Sequence, residues 1–147
     1  MRVYLDACCL SRLTDDQSQP RIREEAEAVD QLMRRMRGGS IRWVASEVLI
    51  EEIDRNPAME RRLENRALLR LVAEVTKVNR DIACRARSFE DEGYGAFDAL
   101  HLACAEAAKV DILLTTDDGF IRKASRGDGS PRVPVANPLS WGQENVP

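Results

Sequence analysis

The sequence has no pair of cysteines with the C-x-x-C spacing that is typical of zinc sites. Its four cysteines are Cys8, Cys9, Cys84 and Cys104, and this spacing argues against a zinc centre. Cys8 and Cys9 lie in an apolar run, where a reduced thiol packs as a small hydrophobic group. We therefore predict a packing role for these cysteines rather than a redox role.

Long apolar runs and a secretory signal are also missing. No apolar segment approaches the roughly 20 residues that cross a bilayer. The opening stretch, "MRVYLDACCL", lacks the basic, apolar and small-residue parts of a signal peptide. We expect a cytoplasmic protein without a membrane partner.

The chain has neither an excess of positive charge nor a glycine-rich phosphate loop. It carries 22 Lys and Arg against 25 Asp and Glu, a net charge of −3. A protein that coats nucleic acid is usually basic, so that class is disfavoured. An enzyme can still act on a phosphodiester through an acidic pocket if a bound divalent cation reverses the local charge.

The 147 residues, 44% of them hydrophobic, fit a single domain (1–147) with a substantial core. Apolar runs predict strands that alternate with amphipathic segments. The predicted strands are Arg2–Asp6, Ile41–Ala45, Asp111–Thr116 and Arg132–Ala136, with a further short strand over "TKVN". The predicted helices are Glu24–Arg37, Glu47–Ile53, Pro57–Val75, Arg80–Gly93, Ala96–Lys109 and a short one from Gly119. This order predicts an α/β fold, three-layer α/β/α with a mostly parallel central sheet.

Acidic residues fall where ligands gather in such a sheet, beyond the carboxyl ends of the strands. Asp6 ends the first strand, and Asp117 follows "ILLTT". Asp98 lies in the first turn of the alanine-rich helix, and Glu52 lies on the helix after the second strand. Carboxylates gathered in one pocket repel one another. We therefore predict a hard divalent cation, Mg²⁺ or Mn²⁺, among them.

Each acid also has a simpler interpretation. Asp117 or Asp118 could cap the next helix, and Asp98 could be a favourable first-turn acid. Glu51 and Glu52 could be a solvated helix face. The combination of acids, rather than any one of them, favours a metal site.

His101 is the only histidine. It follows Asp98 by three residues and shares nearly the same helical face. It could shuttle protons, but a packed, hydrogen-bonded histidine is the interpretation we favour.

Four segments together resemble the PIN-domain family of metal-dependent nucleases. They are "VYLDACCL", "SEVLIEEI", "FDALHLACAEA" and "ILLTTDDGF", and their order and spacing are similar to the family pattern from Arg2 to about Ala136. "DALHLA" followed by "LLTTD" is the most specific part. The resemblance carries the acidic ligands of the family over to Asp6, Glu52, Asp98 and Asp117.

The family pattern also decides between neighbouring acids. It favours Glu52 over Glu51, because Glu52 falls six residues after Ser46, and Asp117 over Asp118, because "TTD" fits the run of the family. Thr115 or Thr116 would supply a supporting hydroxyl. One departure is Cys8, which stands where the family often has asparagine.

The resemblance implies an α/β/α domain and Mg²⁺- or Mn²⁺-dependent hydrolysis of RNA. Many small members look like the toxin of a toxin–antitoxin pair, which suggests an antitoxin protein as partner. The alternative is a catalytically inactive PIN-fold module that binds RNA or protein. Arg12, Arg122 and Lys123 are candidates for phosphate contacts, although surface solvation also explains them.

Two helices carry apolar faces that one small sheet need not cover, Glu24–Arg37 and Pro57–Val75. We therefore expect either a homodimer or an antitoxin segment laid along these helices.

Overall fold

The computed structural model describes residues 1–145. Five strands form one parallel sheet with the order β3-β2-β1-β4-β5. The strands are β1 (Arg2–Leu5), β2 (Arg42–Ser46), β3 (Val72–Thr76), β4 (Ile112–Leu114) and β5 (Val135–Ala136). The helices are α1 (Ala7–Ser11), α2 (Pro20–Arg37), α3 (Glu47–Asp54), α4 (Met59–Leu68), α5 (Arg80–Asp91), α6 (Ala96–Ala107), α7 (Asp118–Ser125) and α8 (Pro138–Glu144). A 3₁₀ turn, Leu69–Leu71, joins α4 to β3.

The sheet separates two hydrophobic cores, because successive side chains of a strand point to opposite faces. Tyr4 belongs to the core that α5 and α6 cover, whereas Val3 and Leu5 belong to the core that α2 covers. The predicted three-layer α/β/α architecture is therefore confirmed, and the central sheet is parallel throughout its five strands.

Local signals set two of these boundaries. Ser46 ends β2 and caps α3, and its hydroxyl accepts the amide proton of Leu49 at 3.1 Å. Pro134 precedes β5, which is an edge strand. Proline has no backbone N–H to donate to a neighbouring strand, so an edge position suits it.

The predicted helix Pro57–Val75 is wrong in its second half. Helix α4 ends at Leu68, and Val72–Thr76 is strand β3, paired in parallel with β2. Val72, Val75 and Thr76 are β-branched, which favours a strand, and pairing with β2 satisfies their backbone groups. The short strand expected over "TKVN" therefore lies earlier, and only Thr76 belongs to it.

The expectation of uncovered apolar faces is wrong for α2 and correct for α4. Val29, Leu32 and Met33 of α2 are buried within the core. On α4, by contrast, Met59 and Leu63 are 59% and 58% exposed. Within residues 1–145, no helix is both long and apolar enough to cross a membrane.

Candidate active site

Asp6 is held at the carboxyl end of β1, in the middle of the sheet. Its backbone amide donates to the carbonyl of Leu114 on β4 at 2.9 Å. Its side chain is buried, and Oδ2 accepts a hydrogen bond from Thr115 Oγ1 at 2.8 Å. The Cys8 thiol donates to the same oxygen at 3.3 Å and lies 3.2 Å from Thr115 Oγ1. Cys8 therefore makes a polar contact with Asp6 from the position where the family often has asparagine.

Glu52 approaches Asp6 from α3, and His101 lies between them. His101 Nε2 is 2.7 Å from Glu52 Oε1 and 3.5 Å from Asp6 Oδ1. These three side chains offer ligand atoms that all lie within 4.8 Å of one another. A carboxylate only accepts hydrogen bonds, so His101 Nε2 carries the proton in this contact. His101 is therefore a donor that orients Glu52, and its Nε2 is not a free metal ligand in this geometry.

A buried hydrogen-bonded chain supports His101 from the other side. The hydroxyl of Tyr4 lies 2.6 Å from His101 Nδ1 and 2.6 Å from Ser46 Oγ. Burial acts to lower the pKa of His101, but the Glu52 hydrogen bond and the carboxylates of Asp6 and Asp98 outweigh it, so the pKa is raised. His101 is packed and hydrogen-bonded as predicted, but its partner is an acid 49 residues away along the chain.

Asp98, in the first turn of α6, has a raised pKa. Burial, followed by the charges of Asp6 and Asp117, raises the pKa of Asp98 to about 7 from an ordinary value of 3.8. The residue before this helix is Gly95, and no side chain caps it. Asp98 lies in the first turn of α6, as the simpler interpretation held, but burial and the charges of Asp6 and Asp117 outweigh the lowering of its pKa that a helix N-terminus favours.

Asp117 caps α7, as the simpler interpretation of this residue held. Its Oδ1 accepts the amide protons of Gly119 at 2.9 Å and Phe120 at 3.2 Å, and its own amide donates to Thr115 Oγ1 at 3.1 Å. Within residues 1–145, Oδ2 of Asp117 forms no hydrogen bond. The cap therefore uses one carboxylate oxygen and leaves the other open to a ligand.

The two neighbouring acids point elsewhere. Glu51 is exposed and pairs with Arg55 at 2.6 Å. Asp118 is exposed and accepts two hydrogen bonds from Arg21, both at 2.9 Å. The structure thus brings Glu52, rather than Glu51, next to Asp6.

We call Asp6, Glu52 and Asp98 the acid cluster. In the part of the chain that the structure describes, none of them forms a salt bridge with a lysine or arginine, and His101 is the sole basic partner of Asp6 and Glu52. Oxygen donors with uncompensated negative charge are what a hard divalent cation prefers. The residues present therefore fit such a cation.

Comparisons with known proteins agree with this geometry. A family model of the PIN domain matches residues 3–126. The chain belongs to the PIN-domain family. None of the curated protein sequences compared with this PIN domain is a significant match.

Two solved structures share the fold of this PIN domain. VapBC2 from Rickettsia felis, bound to a DNA fragment from its promoter, superposes with a TM-score of 0.61 at 12% identity, over 93% of this chain and 98% of that chain. VapBC-1 from nontypeable Haemophilus influenzae gives a TM-score of 0.58 at 17% identity, over 94% of this chain and 98% of that chain.

The basic residues proposed from sequence are mostly engaged in contacts within the PIN domain. Arg12 pairs with Asp15 at 2.8 Å and with Glu25 at 2.9 Å, and Lys123 donates to the carbonyl of Gly93 at 2.6 Å. Sequence reasoning did not single out Arg55, the C-cap of α3, which lies near Glu52 and lines the same surface depression. Its spacing of three residues from Glu52 was the available signal.

Proposed function

We propose that this PIN domain is a divalent-metal-dependent endoribonuclease. The observation that carries the proposal is the acid cluster, in which the ligand atoms of Asp6, Glu52 and His101 lie within 4.8 Å of one another. Within residues 1–145 no lysine or arginine pairs with these acids, and burial together with the charges of Asp6 and Asp117 raises the pKa of Asp98 to about 7. Perturbed pKa values of this kind concentrate at functional sites. A structural role would instead pair these acids with cations.

The ligands that we propose for Mg²⁺ or Mn²⁺ are Asp6, Asp98 and Asp117, with Glu52 as a further ligand or as the group that orients the attacking water. Bound there, a divalent cation supplies a Lewis acid for the phosphodiester and lowers the pKa of a water molecule. Asp98, whose pKa burial raises to about 7, stays protonated to a higher pH than an ordinary aspartate, and a cation held beside it would favour its ionised form.

The residues around the acid cluster keep its oxygens in place. Thr115 and Cys8 fix Oδ2 of Asp6, and His101 fixes Oε1 of Glu52. Within residues 1–145, Oε2 of Glu52 has no hydrogen-bond partner. We infer that this second oxygen contacts the cation or accepts the proton of the attacking water.

Metal removal tests the activity. Purified protein is incubated with a mixed RNA pool in Mg²⁺ or Mn²⁺, with and without EDTA, and the products are separated by size. We expect cleavage in the presence of the cation and none in EDTA. Cleavage that persists undiminished in EDTA would rule out the metal mechanism, and no cleavage under any condition would favour an inactive binding module.

For the biological role, we propose the toxin of a toxin–antitoxin pair. The fold is shared with two VapBC toxin–antitoxin structures over nearly the whole chain. The exposed Met59 and Leu63 of α4 provide an apolar surface for an antitoxin segment or a second copy.

Sedimentation of the pure protein, alone and with the product of the neighbouring gene, tests association. We expect a species heavier than the 16.5 kDa chain, and we expect Leu63→Glu to weaken its formation. A monomer at high concentration that also retains no partner would contradict the proposal.

A further inference from the structure

A cavity opens beside the acid cluster, between α1, α3 and α4. Its volume is about 340 Å³, within the range of about 300–1,000 Å³ that small-molecule pockets occupy. The residues that line it and carry polar groups are Cys8, Ser11, Glu52, Arg55, Asn56 and Asn65. Glu52 and Cys8 border both the cavity and Asp6. A group in this cavity would therefore lie directly beside a phosphate held at the acid cluster.

Asn65 is the one buried polar side chain of α4, and it lines this cavity. It is 3% exposed, and its Oδ1 has no hydrogen-bond partner among residues 1–145. A buried amide oxygen without a partner is costly, and native proteins retain few of them. Core packing would be served better by an apolar side chain here. Asn65 is therefore suited to a ligand that supplies the missing hydrogen bond.

The remaining lining groups complement a flat polar ligand. Asn56 uses Oδ1 to accept the amide proton of Ala58 at 3.0 Å, so its Nδ2 remains available as a donor. Arg55 lies 5.4 Å above the ring of Phe97, and its one salt bridge within residues 1–145 is with the exposed Glu51. Amides carry one acceptor and two donors in a plane, which matches the edge of a nucleobase.

The acid cluster and the cavity beside it differ in charge. Carboxylates dominate the acid cluster, whereas the cavity adds amides, a hydroxyl and the cation of Arg55. Proteins recognise single-stranded RNA by taking unstacked bases into such pockets and reading their edges. The acid cluster suits the phosphate with its cation, and the cavity suits the adjacent base.

We propose that this cavity is a base-specificity subsite, which takes one nucleobase of single-stranded RNA next to the scissile phosphate and reads its edge through the Asn65 amide. The inference rests on the proposed ribonuclease function, which it extends to the choice of substrate. It makes Asn65 a specificity-determining residue rather than a catalytic one.

The first test observes Asn65 directly in the wild-type protein. Each of the four ribonucleoside 5′-monophosphates is titrated, with Mg²⁺, into ¹⁵N-labelled protein, and the side-chain amide resonances of Asn65 are followed by NMR. We expect one nucleotide to shift them more than the other three. These probes contain no internucleotide bond, so the result does not depend on cleavage.

The second test measures specificity. A pool of short RNAs, randomised around a single position, is cleaved by wild type, by Asn65→Leu and by Glu64→Gln, a control in which an exposed neighbour on α4 changes. We expect the ratio of preferred to non-preferred cleavage to fall about 10-fold in Asn65→Leu, within the 5- to 150-fold that loss of one base contact causes. The control keeps the wild-type ratio.

The outcomes separate the two proposals. If wild type cleaves RNA but the Asn65 resonances do not move, or if Asn65→Leu keeps the wild-type ratio, the subsite is overturned and the ribonuclease stands. If nothing is cleaved, the ribonuclease fails and the NMR titration alone decides whether a base binds here. Because that titration uses wild-type protein, a folding defect of Asn65→Leu cannot mask the answer.

Discussion

Two buried acidic regions of this PIN domain differ in how their charge is compensated. Glu25 of α2 is 1% exposed, and it accepts hydrogen bonds from Arg12 and Asn137 and pairs with Arg21 at 3.4 Å. The acid cluster has comparable burial around Asp6 but no lysine or arginine partner within the described residues. Asp6 and Glu25 are similarly buried, at 5% and 1% exposure, so compensation is the property that distinguishes these two acids.

The Glu25 contacts have a structural purpose, because they join three helices. Arg12 follows α1, Arg21 lies in α2 and Asn137 caps α8. A buried carboxylate paired in this way needs no further ligand. The acid cluster has no lysine or arginine partner, and His101 contacts only Asp6 and Glu52 of its three acids within residues 1–145, which leaves negative charge that favours a bound cation. The comparison teaches that a buried acid without a lysine or arginine partner, rather than a buried acid as such, indicates the functional site.

The largest effect that we expect comes from removing one charge of the acid cluster. Asp98→Asn should lower the rate of RNA cleavage by at least about 100-fold, because even groups that only orient metal ligands are worth 10- to 100-fold. Its melting temperature without metal should equal or exceed that of wild type. Mn²⁺ at 100 times its Kd should stabilise wild type by about 2.7 kcal/mol and the variant much less, measured by differential scanning fluorimetry.

Asp91→Asn provides the control, since Asp91 is an exposed aspartate at the end of α5. It should retain cleavage and the Mn²⁺ response. A less stable Asp98→Asn protein that still cleaves RNA and ignores Mn²⁺ would show that Asp98 has a structural role like that of Glu25.

An intermediate effect is expected when the same neutralisation is made at Glu25. Glu25→Gln leaves Arg12 and Arg21 without their shared carboxylate and should lower the free energy of unfolding by about 2–3 kcal/mol. Urea denaturation measures this. The neighbouring Glu24 is exposed, so Glu24→Gln should change the free energy of unfolding by less than about 0.5 kcal/mol.

In contrast to Asp98→Asn, Glu25→Gln should keep the stabilisation by Mn²⁺. A Glu25→Gln protein more stable than wild type would show that the two acidic regions do not differ in compensation.

The smallest effect concerns pH without metal. The folded pKa of Asp98, about 7, lies above its ordinary value of 3.8. The stability that this group contributes is therefore fully present below about pH 4 and is lost as pH rises through 7. Asp98 is partly exposed, so solvent screening reduces the effect to the order of 1–2 kcal/mol.

The measurement is the difference in unfolding free energy between wild type and Asp98→Asn, taken from pH 4 to pH 8 in EDTA. The free energy of unfolding of Asp98→Asn should rise relative to that of wild type as pH rises, since asparagine cannot ionise at this position. A difference that is constant with pH would mean that Asp98 does not share its electrostatic environment with the other acids.

The sequence predicted the part of the site that depends on strand ends. Asp6 and Asp117 follow β1 and β4, which are neighbours in the sheet, and the carboxyl ends of parallel strands share one edge. The N-cap role of Ser46 was equally readable, because it depends on residues three positions apart. Local patterns of this kind also predicted the parallel three-layer architecture.

Sequence reasoning failed where distant residues decide the conformation. The segment Val72–Thr76 continued an amphipathic helical pattern, yet pairing with β2 makes it a strand. The choice rests on backbone hydrogen bonds to residues about 30 positions earlier, and no window of the local sequence contains them. Propensity is a weak signal when such pairing competes with it.

The sequence by itself determined the alternation of strands and helices, the burial of the strand interiors and the presence of acids at one edge, because each follows from local periodicity. Only the tertiary structure decided how His101 donates to Glu52, how Glu25 gathers two arginines, and how Asn65 reaches the cavity beside the acid cluster. These contacts join side chains that packing alone brings together. Their physical basis is the desolvation of polar groups, and whether a buried group is paired depends on every element that surrounds it.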